Sequence, residues 1–558
     1  MGFIQTAPVL ANTYLDDRVL RSWLRRVLPP QVLADQEGRL GEFGELAANE
    51  WYPQQLAQRH LEPRHVPFDA FGQRIDHVEL SPFWRDAPAI AAKWGLIALG
   101  QDDWLAQHGR PLQFAFNYLF HPSSELFSCP LAMTDGALKV LQDSDNKALI
   151  DRAVPRLLSR DPKQLWISGQ WMTETSGGSD VGGSETVARQ DERGRWRLSG
   201  RKWFASAITS DIALLLARPE KNPAGADGLA LFYIEPRKSD GRLRNITIDR
   251  LKDKLGTRKL PTAEIHLDNT PAELVGDSRH GVRAIAPMLN VTRLWNAVCA
   301  VSAMRRGLTL ARDYATRRVV FAQPLIDQPL HQETLADLQA EFEGMFHLTF
   351  HAVELMGRIE NGQHDDASVH LLRLITPIVK LTTAKAATQA LGEVIESFGG
   401  AGYCEDTGLP GLLRDTQVLP IWEGTTNVLA LDVIKALKQI GGLQHWLTAI
   451  RTLTSPITLP ELEGVVKQVR ESATAVAEWI QKRSRSRDEL PAGARGLAMT
   501  MGRTLALALL AQHAEWSFRT EHDPRTLHAA RRFARLGCNR LTDTVAIEAR
   551  TLSSDIYA

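Results

Sequence analysis

A glycine-rich stretch in the first third of the chain has the residue types that bind an anion: Gly169 to Gly183, reading GQWMTETSGGSDVGG. Gly177 and Gly178 lack a Cβ, so the main chain there can approach a ligand closely. Successive backbone N–H groups turned the same way form an anion nest, and the Thr173 hydroxyl can donate a hydrogen bond to a ring nitrogen. A surface loop is the alternative interpretation, and for a short Gly/Ser cluster taken alone it is the more common one.

A second stretch downstream favours a ligand with an aromatic ring. Gly200 to Ser206 reads GRKWFAS, in which Trp203 and Phe204 offer flat apolar surface. No GxGxxG follows a strand with an acidic residue downstream, so the sequence gives little support to a doubly wound NAD-type site. The two stretches together predict a site for an aromatic ligand that also carries a negative charge.

A single glutamate near the end of the helical middle of the chain is a candidate general base. Glu423 stands in IWEGTTN, directly after Ile421 and Trp422. These apolar neighbours are expected to desolvate the carboxyl group and raise its pKa toward the working pH, which makes it a better base. The alternative is a glutamate at a helix start, stabilised by the helix dipole.

Five motifs occur in the order typical of one family: TETSGGSD, WFAS, RRVVF, FGGAGY and IWEGTTN. On these residues the chain resembles the acyl-CoA dehydrogenase family. The resemblance implies FAD as the cofactor and an acyl-CoA thioester as the substrate, with electrons passed to an electron-transferring flavoprotein. The implied flavin contacts are Gln170, Trp171, Met172, Thr173, Ser179, Trp203, Phe204, Ala205, Ser206, Arg318, Phe321, Gly399, Gly400, Thr425 and Asn427.

The resemblance also implies a reaction. In that family a glutamate, here Glu423, removes the α-proton of the thioester while a hydride leaves Cβ for flavin N5, giving a trans-enoyl thioester. Because the α-proton is only weakly acidic, the base must stand at contact distance and the developing enolate must be stabilised. Ser179 and Arg293 are the implied substrate contacts. Glu396 stands where relatives have glutamine, and its negative charge would repel a pyrophosphate.

Length and patterning predict how these residues are positioned. A chain of 558 residues is too long for one core. Its periodicity predicts a multidomain α+β fold: a helical domain over 1–165, an antiparallel β-barrel domain over 166–280, a four-helix bundle carrying Glu423 over 281–440, and an extra helical domain over 441–558. Within the first, the aromatic residues of FAFNYLF alternate rather than follow a helix, which indicates core packing. Asp69 to Trp84 reads as an irregular or hairpin segment.

Composition narrows the partners. The formal net charge is zero, which favours neither nucleic acid nor membrane as a partner. No basic head precedes an apolar core, and no apolar run is long enough to span a bilayer, so we expect a cytoplasmic protein. The cysteines have no metal-like spacing; no metal site is predicted, and they are expected to be small buried side chains. They are Cys129, Cys299, Cys404 and Cys538.

The last region supports a second hypothesis. Residues 441–558 hold sixteen Lys/Arg and twelve Asp/Glu, with basic clusters at Lys482–Arg487 and Arg531–Arg540. Lys and Arg displace condensed counterions from nucleic acid, so Arg531, Arg532 and Arg535 are candidate contacts to DNA; a solvated helix face is the plain alternative. With DAFGQRID and KDKLGTR, this region resembles the AidB-like, alkylation-response branch of the family. That branch is implied to form homotetramers and to bind double-stranded DNA non-specifically, with weak or residual dehydrogenase activity.

Overall fold

The computed structural model of the protein describes residues 5–484, 486, 488–543 and 546–554. The chain begins with a helical region. Its elements are α1 (Arg18–Val27), α2 (Pro30–Leu46), α3 (Tyr52–Ala57), β1 (Arg64–Phe68), β2 (Arg74–Glu79), α4 (Pro82–Trp94), α5 (Gly109–Phe120), α6 (Ser128–Gln142) and α7 (Lys147–Leu157). Strands β1 and β2 pair antiparallel, which confirms the predicted hairpin excursion.

One prediction for this region is wrong. The aromatic run Phe114 to Phe120 lies inside α5 and is helical. Every residue of α5 is buried, including the polar residues Arg110, Gln113 and Asn117, which recur at helical spacing and make hydrogen bonds inside the protein. The alternation of aromatic residues reflects packing on all sides of the helix.

The middle region is a β-barrel. Its strands are β3 (Ser168–Gln170), β4 (Val187–Gln190), β5 (Trp196–Ser206), β6 (Ile212–Pro219), β7 (Ala230–Ile234), β8 (Ile246–Leu251) and β9 (Thr262–Leu274). Of these described strands, β6, β4, β5, β9 and β7 close a ring, because β7 also pairs with β6. The pairs β3–β6 and β4–β6 are parallel and the rest are antiparallel. Leu198, Leu215, Phe232 and Ile265 pack in its interior.

Long helices follow the barrel. The elements are α8 (Gly281–Ala284), α9 (Ala286–Arg317), β10 (Val319–Val320), β11 (Gln323–Pro324), α10 (Pro329–Glu360), α11 (Asp366–Ser397), α12 (Leu409–Thr416) and α13 (Thr426–Gln439). Helices α9, α10, α11 and α13 form the predicted bundle, with α11 packed against the other three. The short strands β10 and β11 form a hairpin between α9 and α10.

The last region of the chain is helical, and its helix α17 (Ala494–Thr520) packs onto the bundle. The helices of this region are α14 (Gln444–Thr454), α15 (Glu463–Arg483), α16 (Glu489–Ala492), α17, α18 (Arg525–Leu536) and α19 (Ala546–Leu552). Helix α17 lies against α10, α11 and α13, and Phe533 of α18 sits over Gly344, where a Cβ would lie 2.5 Å from its ring. The predicted α+β fold, with barrel, bundle and an added helical region, is confirmed.

Three further observations concern the described part of the chain. No helix in it combines the length and apolar character needed to cross a bilayer. It gathers no three His, Cys, Asp or Glu side chains into a group that could hold a metal ion. Cys299 and Cys538 are buried as predicted, whereas Cys404 is exposed because it lies on the turn after α11.

Candidate active site

Glu423 lies in the turn between α12 and α13 and has a strained backbone. Its φ is +57°, in the left-handed region that residues with a Cβ rarely adopt. Such a conformation costs about 1 to 3 kcal/mol and persists only where the surroundings enforce it. The contacts around the turn therefore decide whether the carboxyl group is held in place.

Two cations hold the backbone of this turn. Lys380 Nζ, on the buried face of α11, donates to the carbonyl oxygens of Trp422 at 2.6 Å and Gly424 at 2.7 Å. Arg293 Nε, on α9, donates to the carbonyl of Glu423 at 3.2 Å. Three consecutive carbonyls thus accept hydrogen bonds from positively charged groups, which fixes the turn without placing a direct ion pair on the Glu423 carboxylate.

The carboxyl group of Glu423 meets a neutral donor instead. The Thr292 hydroxyl on α9 donates to its Oε2 at 2.8 Å. Burial raises the pKa of Glu423 above its usual value, opposed by the Thr292 hydrogen bond, by the charges of Arg293 and Lys380, and by the amide of Gln170. Burial also lowers the pKa of Lys380, to about 7, against the attraction of Glu423. The net result is a carboxyl group that gains a proton more readily than an exposed one.

The predicted cause of this shift needs correction. Ile421 was expected to desolvate Glu423, but its side chain is 60% exposed. Trp422 is half-buried, and its indole N–H donates to Asn296 Oδ1 on α9. The burial of the carboxyl group comes from the tertiary packing of α9, α11 and the barrel, which residues adjacent in sequence could not reveal.

Arg293, for which a substrate contact stays a prediction, also has partners within the protein. Its Nη1 lies 3.0 Å from Asp432 Oδ2 on α13, and Asp432 also pairs with Arg373. With its Nε bound to the Glu423 carbonyl, the guanidinium joins α9 to the turn that carries Glu423. Arg293 is therefore placed to position Glu423, and its charge is largely compensated.

The end of strand β3 faces Glu423 and has an unused acceptor. Gln170 Oε1 is buried and has no hydrogen-bond partner among the described residues. A buried, unpaired amide oxygen is costly unless a ligand or water completes it. Gln170 also lowers the pKa of Glu423, which shows that β3 and the catalytic turn are neighbours. A ligand with a ring N–H placed between them would satisfy this oxygen, and the flavin ring of FAD has one; the residues present fit the group.

Two predicted flavin residues instead build the barrel. Trp171 is fully buried, its indole N–H donates to the Ser206 carbonyl at 3.0 Å, and its backbone N–H donates to Leu214. Ala205 is also fully buried in β5 and pairs with Ala263. Their side chains face the barrel interior, and that the two residues contact a flavin stays a prediction.

Hydrogen bonds to the buried Glu174 hold the glycine-rich loop in place. Glu174 is buried and accepts from Lys202 Nζ and the Thr186 hydroxyl, each at 2.6 Å. Gly178 passes over Thr173 so closely that a Cβ would lie 2.5 Å from its Oγ1. Met172 and Thr173 are half-buried and Ser179 is exposed. The loop therefore presents its backbone to solvent from a fixed base, as an anion nest requires.

The aromatic surface of β5 has a neighbour that the sequence did not suggest. Lys252 Nζ lies 3.5 Å from the ring centroid of Trp203 and 4.5 Å from that of Phe204. The same ammonium pairs with Glu264 at 2.8 Å. Phe204 remains 46% exposed, and Ser206 at the end of the strand is half-buried. A ring that stacks here would also lie near a positive charge.

Four of the predicted flavin contacts form a second group: Arg318, Phe321, Gly399 and Gly400. Phe321 stands at the tip of the β10–β11 hairpin, 94% exposed, after the half-buried Arg318. Tyr314, four residues before Arg318, stacks on Phe398 at 4.4 Å, next to the exposed Gly399 and Gly400. Arg318, the residue directly after α9, lies 26 positions beyond Thr292, which corresponds to about 39 Å along the helix axis. One chain therefore does not bring the hairpin and Glu423 together.

Thr425 and Asn427 lie just beyond the base. The Thr425 side chain caps α13 by accepting from the Val428 N–H at 3.4 Å, and both residues are exposed on the first turn of α13. Thr425 therefore fixes the helix start, and Asn427 is free to meet a ligand at this end.

The three arginines predicted to contact DNA differ in their exposure and in their partners. Arg532 Nη1 lies 2.8 Å from Glu333 and 2.7 Å from Asp337, so its guanidinium joins α18 to α10. Arg531 and Arg535 are exposed. In the other cluster, Arg483 is buried against Trp479 and pairs with Asp543; Arg485 and Arg487 lie outside the described residues.

Sequence reasoning missed Lys380 and Thr292. The sequence does mark Lys380, because this charged residue interrupts the apolar segment LITPIVKL, where a buried charge needs a partner. Nothing in the sequence marks Thr292, since its hydroxyl differs from other helical threonines only in what it faces.

Family models match along the length of the chain: Adaptive response protein AidB N-terminal domain over 6–162, acyl-CoA dehydrogenase middle domain over 169–270, acyl-CoA dehydrogenase C-terminal domain over 279–438, and acyl-CoA dehydrogenase 11 C-terminal domain-like over 443–553.

Individual relatives agree with these matches. Acyl-CoA dehydrogenase family member 11 of Caenorhabditis elegans is 42% identical over 92% of this chain and 86% of its own. The AidB protein of Escherichia coli K12 is 34% identical over 69% of this chain and 71% of its own. The crystal structure of Caenorhabditis elegans ACDH-11 in complex with C11-CoA superposes with a TM-score of 0.96 at 39% identity, covering 100% of this chain and 98% of that one.

Proposed function

The chain belongs to the acyl-CoA dehydrogenase family, and on that premise we propose that Glu423 is the base with which it dehydrogenates an acyl-CoA thioester between Cα and Cβ. The relatives confirm the AidB-like resemblance that the motifs predicted. The protein is an FAD-dependent oxidoreductase of the acyl-CoA dehydrogenase type. Its domain boundaries near residues 165, 280 and 440, and its individual site residues, remain predictions.

One observation carries the assignment of the base. Glu423 is the carboxyl group that the turn holds in a strained conformation, raised in pKa by burial and aimed at the end of β3. A base of raised pKa removes a weakly acidic proton more effectively than an exposed carboxylate does. Thr292 keeps Oε2 oriented through its hydrogen bond, and Lys380 and Arg293 keep the backbone from relaxing.

The neighbouring residues would bind the cofactor and an anionic group. Gln170, Thr173 and Ser206 would hold the flavin ring against the barrel, and the nest at Gly177 and Gly178 would meet an anionic group. When bound, FAD supplies the acceptor for the hydride that leaves Cβ. Glu423 takes the α-proton and holds it on its carboxyl group.

The test is flavin bleaching in the absence of oxygen. FAD-loaded protein is mixed with straight-chain acyl-CoAs of different lengths, and loss of flavin absorbance is followed. Because the relative named above was crystallised with C11-CoA, we propose medium-chain thioesters as the first substrates. We expect Glu423→Gln to bleach about 10³-fold more slowly, the range in which a general base contributes.

A matched control uses the same chemical change elsewhere. Glu393 is exposed on α11, so Glu393→Gln should leave the bleaching rate unchanged. Equal rates for Glu423→Gln and the wild-type protein would remove Glu423 from the proton transfer. Failure of every thioester to bleach the flavin would overturn the dehydrogenase proposal itself.

We propose a homotetramer, with electron-transferring flavoprotein as the acceptor and the cytoplasm as the location. The separation of about 39 Å along α9 supports assembly, because Arg318 and Phe321 can serve a cofactor near Glu423 only if it belongs to another copy. Analytical ultracentrifugation of wild-type protein and Phe321→Ser tests this: the variant should dissociate more readily and lose FAD.

Double-stranded DNA, in an alkylation response, remains the second candidate. The exposed Arg531 and Arg535, one helical turn apart on α18, favour it. A gel shift that is salt-sensitive, independent of sequence and weakened by Arg531→Glu with Arg535→Glu would support it. A shift unchanged by that double variant would remove α18 from any DNA contact.

A further inference from the structure

A cavity lies away from the turn that carries Glu423. It has a volume of about 330 Å³ and opens where α3, the loop at residues 256–259, α9 and α12 meet. Its lining includes neither Glu423 nor any residue predicted to hold the flavin. Thr292, which binds Glu423, and Arg306, which lines the cavity, are fourteen positions apart on α9, about 21 Å along the helix axis.

Arg306 is the distinctive group in this cavity. Its side chain is only 4% exposed, and it donates to the Pro122 carbonyl at 3.2 Å and the Ser123 hydroxyl at 2.7 Å. The guanidinium also lies over the Tyr52 ring, 4.6 Å from its centroid. All of these partners are neutral, and no described carboxylate forms an ion pair with Arg306. A buried cation without a counter-ion is unfavourable, so an anion in the cavity would relieve it.

No other cation of the lining is both buried and without a carboxylate partner among the described residues. Arg258 pairs with Glu62, Lys259 with Glu125 and Arg414 with Glu405. Asp415 accepts the Thr257 N–H at 2.6 Å. Arg59 is exposed and donates to the Leu56 carbonyl. Arg306 is therefore the buried cation of the lining that lacks a carboxylate partner among the described residues; Asp415, on another wall of the cavity, likewise has a neutral donor, the Thr257 N–H.

The rest of the lining describes the shape of a ligand. Apolar side chains make up much of the wall; they are Leu56, Pro122, Leu126, Leu310, Leu409 and Leu412. The amide of Gln55 also lines the cavity, and its buried oxygen has no partner among the described residues. Turned by half a rotation, that amide presents its NH₂ group, a donor suited to a carboxylate. One buried cation, one amide and an apolar wall match an anionic head on an aliphatic body.

We infer that this cavity binds an aliphatic monocarboxylate, with its carboxylate on the Arg306 guanidinium and its chain against the leucines. The planar guanidinium and the carboxylate fit as a bidentate pair. Binding here is a property of the cavity and does not depend on the reaction at Glu423. A free fatty acid has the chemistry of the hydrolysed substrate, so the protein would sense a compound related to the thioester it oxidises.

The test measures binding of sodium octanoate to the FAD-loaded protein by isothermal titration calorimetry. Octylammonium chloride has the same chain with the opposite charge, and inorganic phosphate has negative charge without a chain. We expect octanoate to bind, phosphate to bind at least about tenfold more weakly, and octylammonium not to bind. Failure of octanoate to bind the wild-type protein, or equal binding of octylammonium, overturns the proposal.

Two variants and one control locate the binding. Gly411 lines the cavity, and a Cβ added there meets nothing within 4 Å, so Gly411→Phe should fill the space without disturbing the fold. It should abolish octanoate binding, and Arg306→Met should weaken it about tenfold or more. Gly38, exposed on α2 with equally open space, gives the control Gly38→Phe, which should bind like wild type.

The result can be separated from binding at the active site. Octanoate in this cavity should leave the visible spectrum of the bound flavin unchanged, and an acyl-CoA should not compete with it. Unchanged octanoate affinity in Gly411→Phe, or a flavin spectral shift that follows octanoate binding, would place the carboxylate elsewhere and overturn the assignment. Should Arg306→Met fail to fold, Gly411→Phe decides alone.

Discussion

The turn that carries Glu423 and helix α18 both combine acidic and basic side chains, but they use them differently. At the turn, Lys380 and Arg293 donate to backbone carbonyls, and the Glu423 carboxyl group meets neutral groups, the Thr292 hydroxyl and the Gln170 amide. On α18, Arg532 binds two carboxylates of α10 directly. A cation that holds the backbone leaves a nearby carboxylate available for chemistry, whereas a cation paired with a carboxylate is committed to the fold.

The difference also has an energetic side. Glu333 and Asp337 are largely exposed, so solvent screens their pairing with Arg532, and such pairs contribute about 0 to 1 kcal/mol. Lys380 is fully buried, and removing its N–H donors would leave two carbonyls without partners, each at a cost of about 1 to 3 kcal/mol. The two regions should therefore respond very differently to the loss of one cation.

The largest effect is expected for Lys380→Met. Without its donors the turn loses two of its three anchors, and flavin bleaching by an acyl-CoA should slow about 10- to 100-fold. Because the charge of Lys380 lowers the pKa of Glu423, its loss should also move the acid limb of the pH–rate profile to higher pH. Lys380→Arg should restore part of both, which a purely structural role would not predict.

Lys385, on the same helix, supplies the control. It makes no contact with the turn among the described hydrogen bonds, so Lys385→Met should keep the wild-type rate and pH profile. An unaltered pH profile in Lys380→Met would break the distinction between backbone-holding and carboxylate-pairing cations.

The second effect is the position of the acid limb itself. Burial raises the pKa of Glu423 above its usual value of 4.5, and the base must be deprotonated to act. The bleaching rate should therefore fall as pH decreases through this raised pKa. Thr292→Val removes a hydrogen bond that lowers the pKa, so its limb should lie at higher pH still, while its rate well above the limb changes only about two- to threefold. An acid limb at or below pH 4.5 would contradict the assignment.

A smaller effect is expected on α18. Arg532→Met should lower the free energy of unfolding by about 1 kcal/mol, measured by urea denaturation. Arg531→Met, beside it and exposed, should change that free energy by no more than about 0.5 kcal/mol. Equal losses for the two variants would show that the pairing of Arg532 with α10 does not stabilise the protein.

The smallest effect concerns Glu396, which is exposed next to the turn at Gly399 and Gly400. If that turn meets the cofactor of another copy, Glu396→Gln removes a charge that repels its pyrophosphate. FAD affinity, measured by flavin fluorescence at low salt, should then rise about two- to fivefold, and the gain should shrink at high salt. Weaker FAD binding in the variant would contradict the placement of a pyrophosphate beside this turn.

The elements could be predicted because their signals are local. The barrel strand β6 is a short apolar run, the bundle helices show helical periodicity, and the motif around Glu423 marks the start of α13. Helix α5 was not predicted because its alternating aromatic residues outweighed the helical spacing of Arg110, Gln113 and Asn117, and the ion pair of Arg293 was not foreseen because Asp432 lies on another helix. The part that could not be predicted is where cations find their partners, since that depends on packing between elements distant in sequence.

The length of α9 separates the hairpin with Phe321 from Glu423 of the same chain. Under the proposed assembly, a variant lacking the carboxylate at 423 still lends its hairpin to a companion, and a variant lacking the ring at 321 still owns an intact base. Co-expression of these two inactive proteins would then regenerate working sites in mixed oligomers, a form of complementation that neither protein achieves alone.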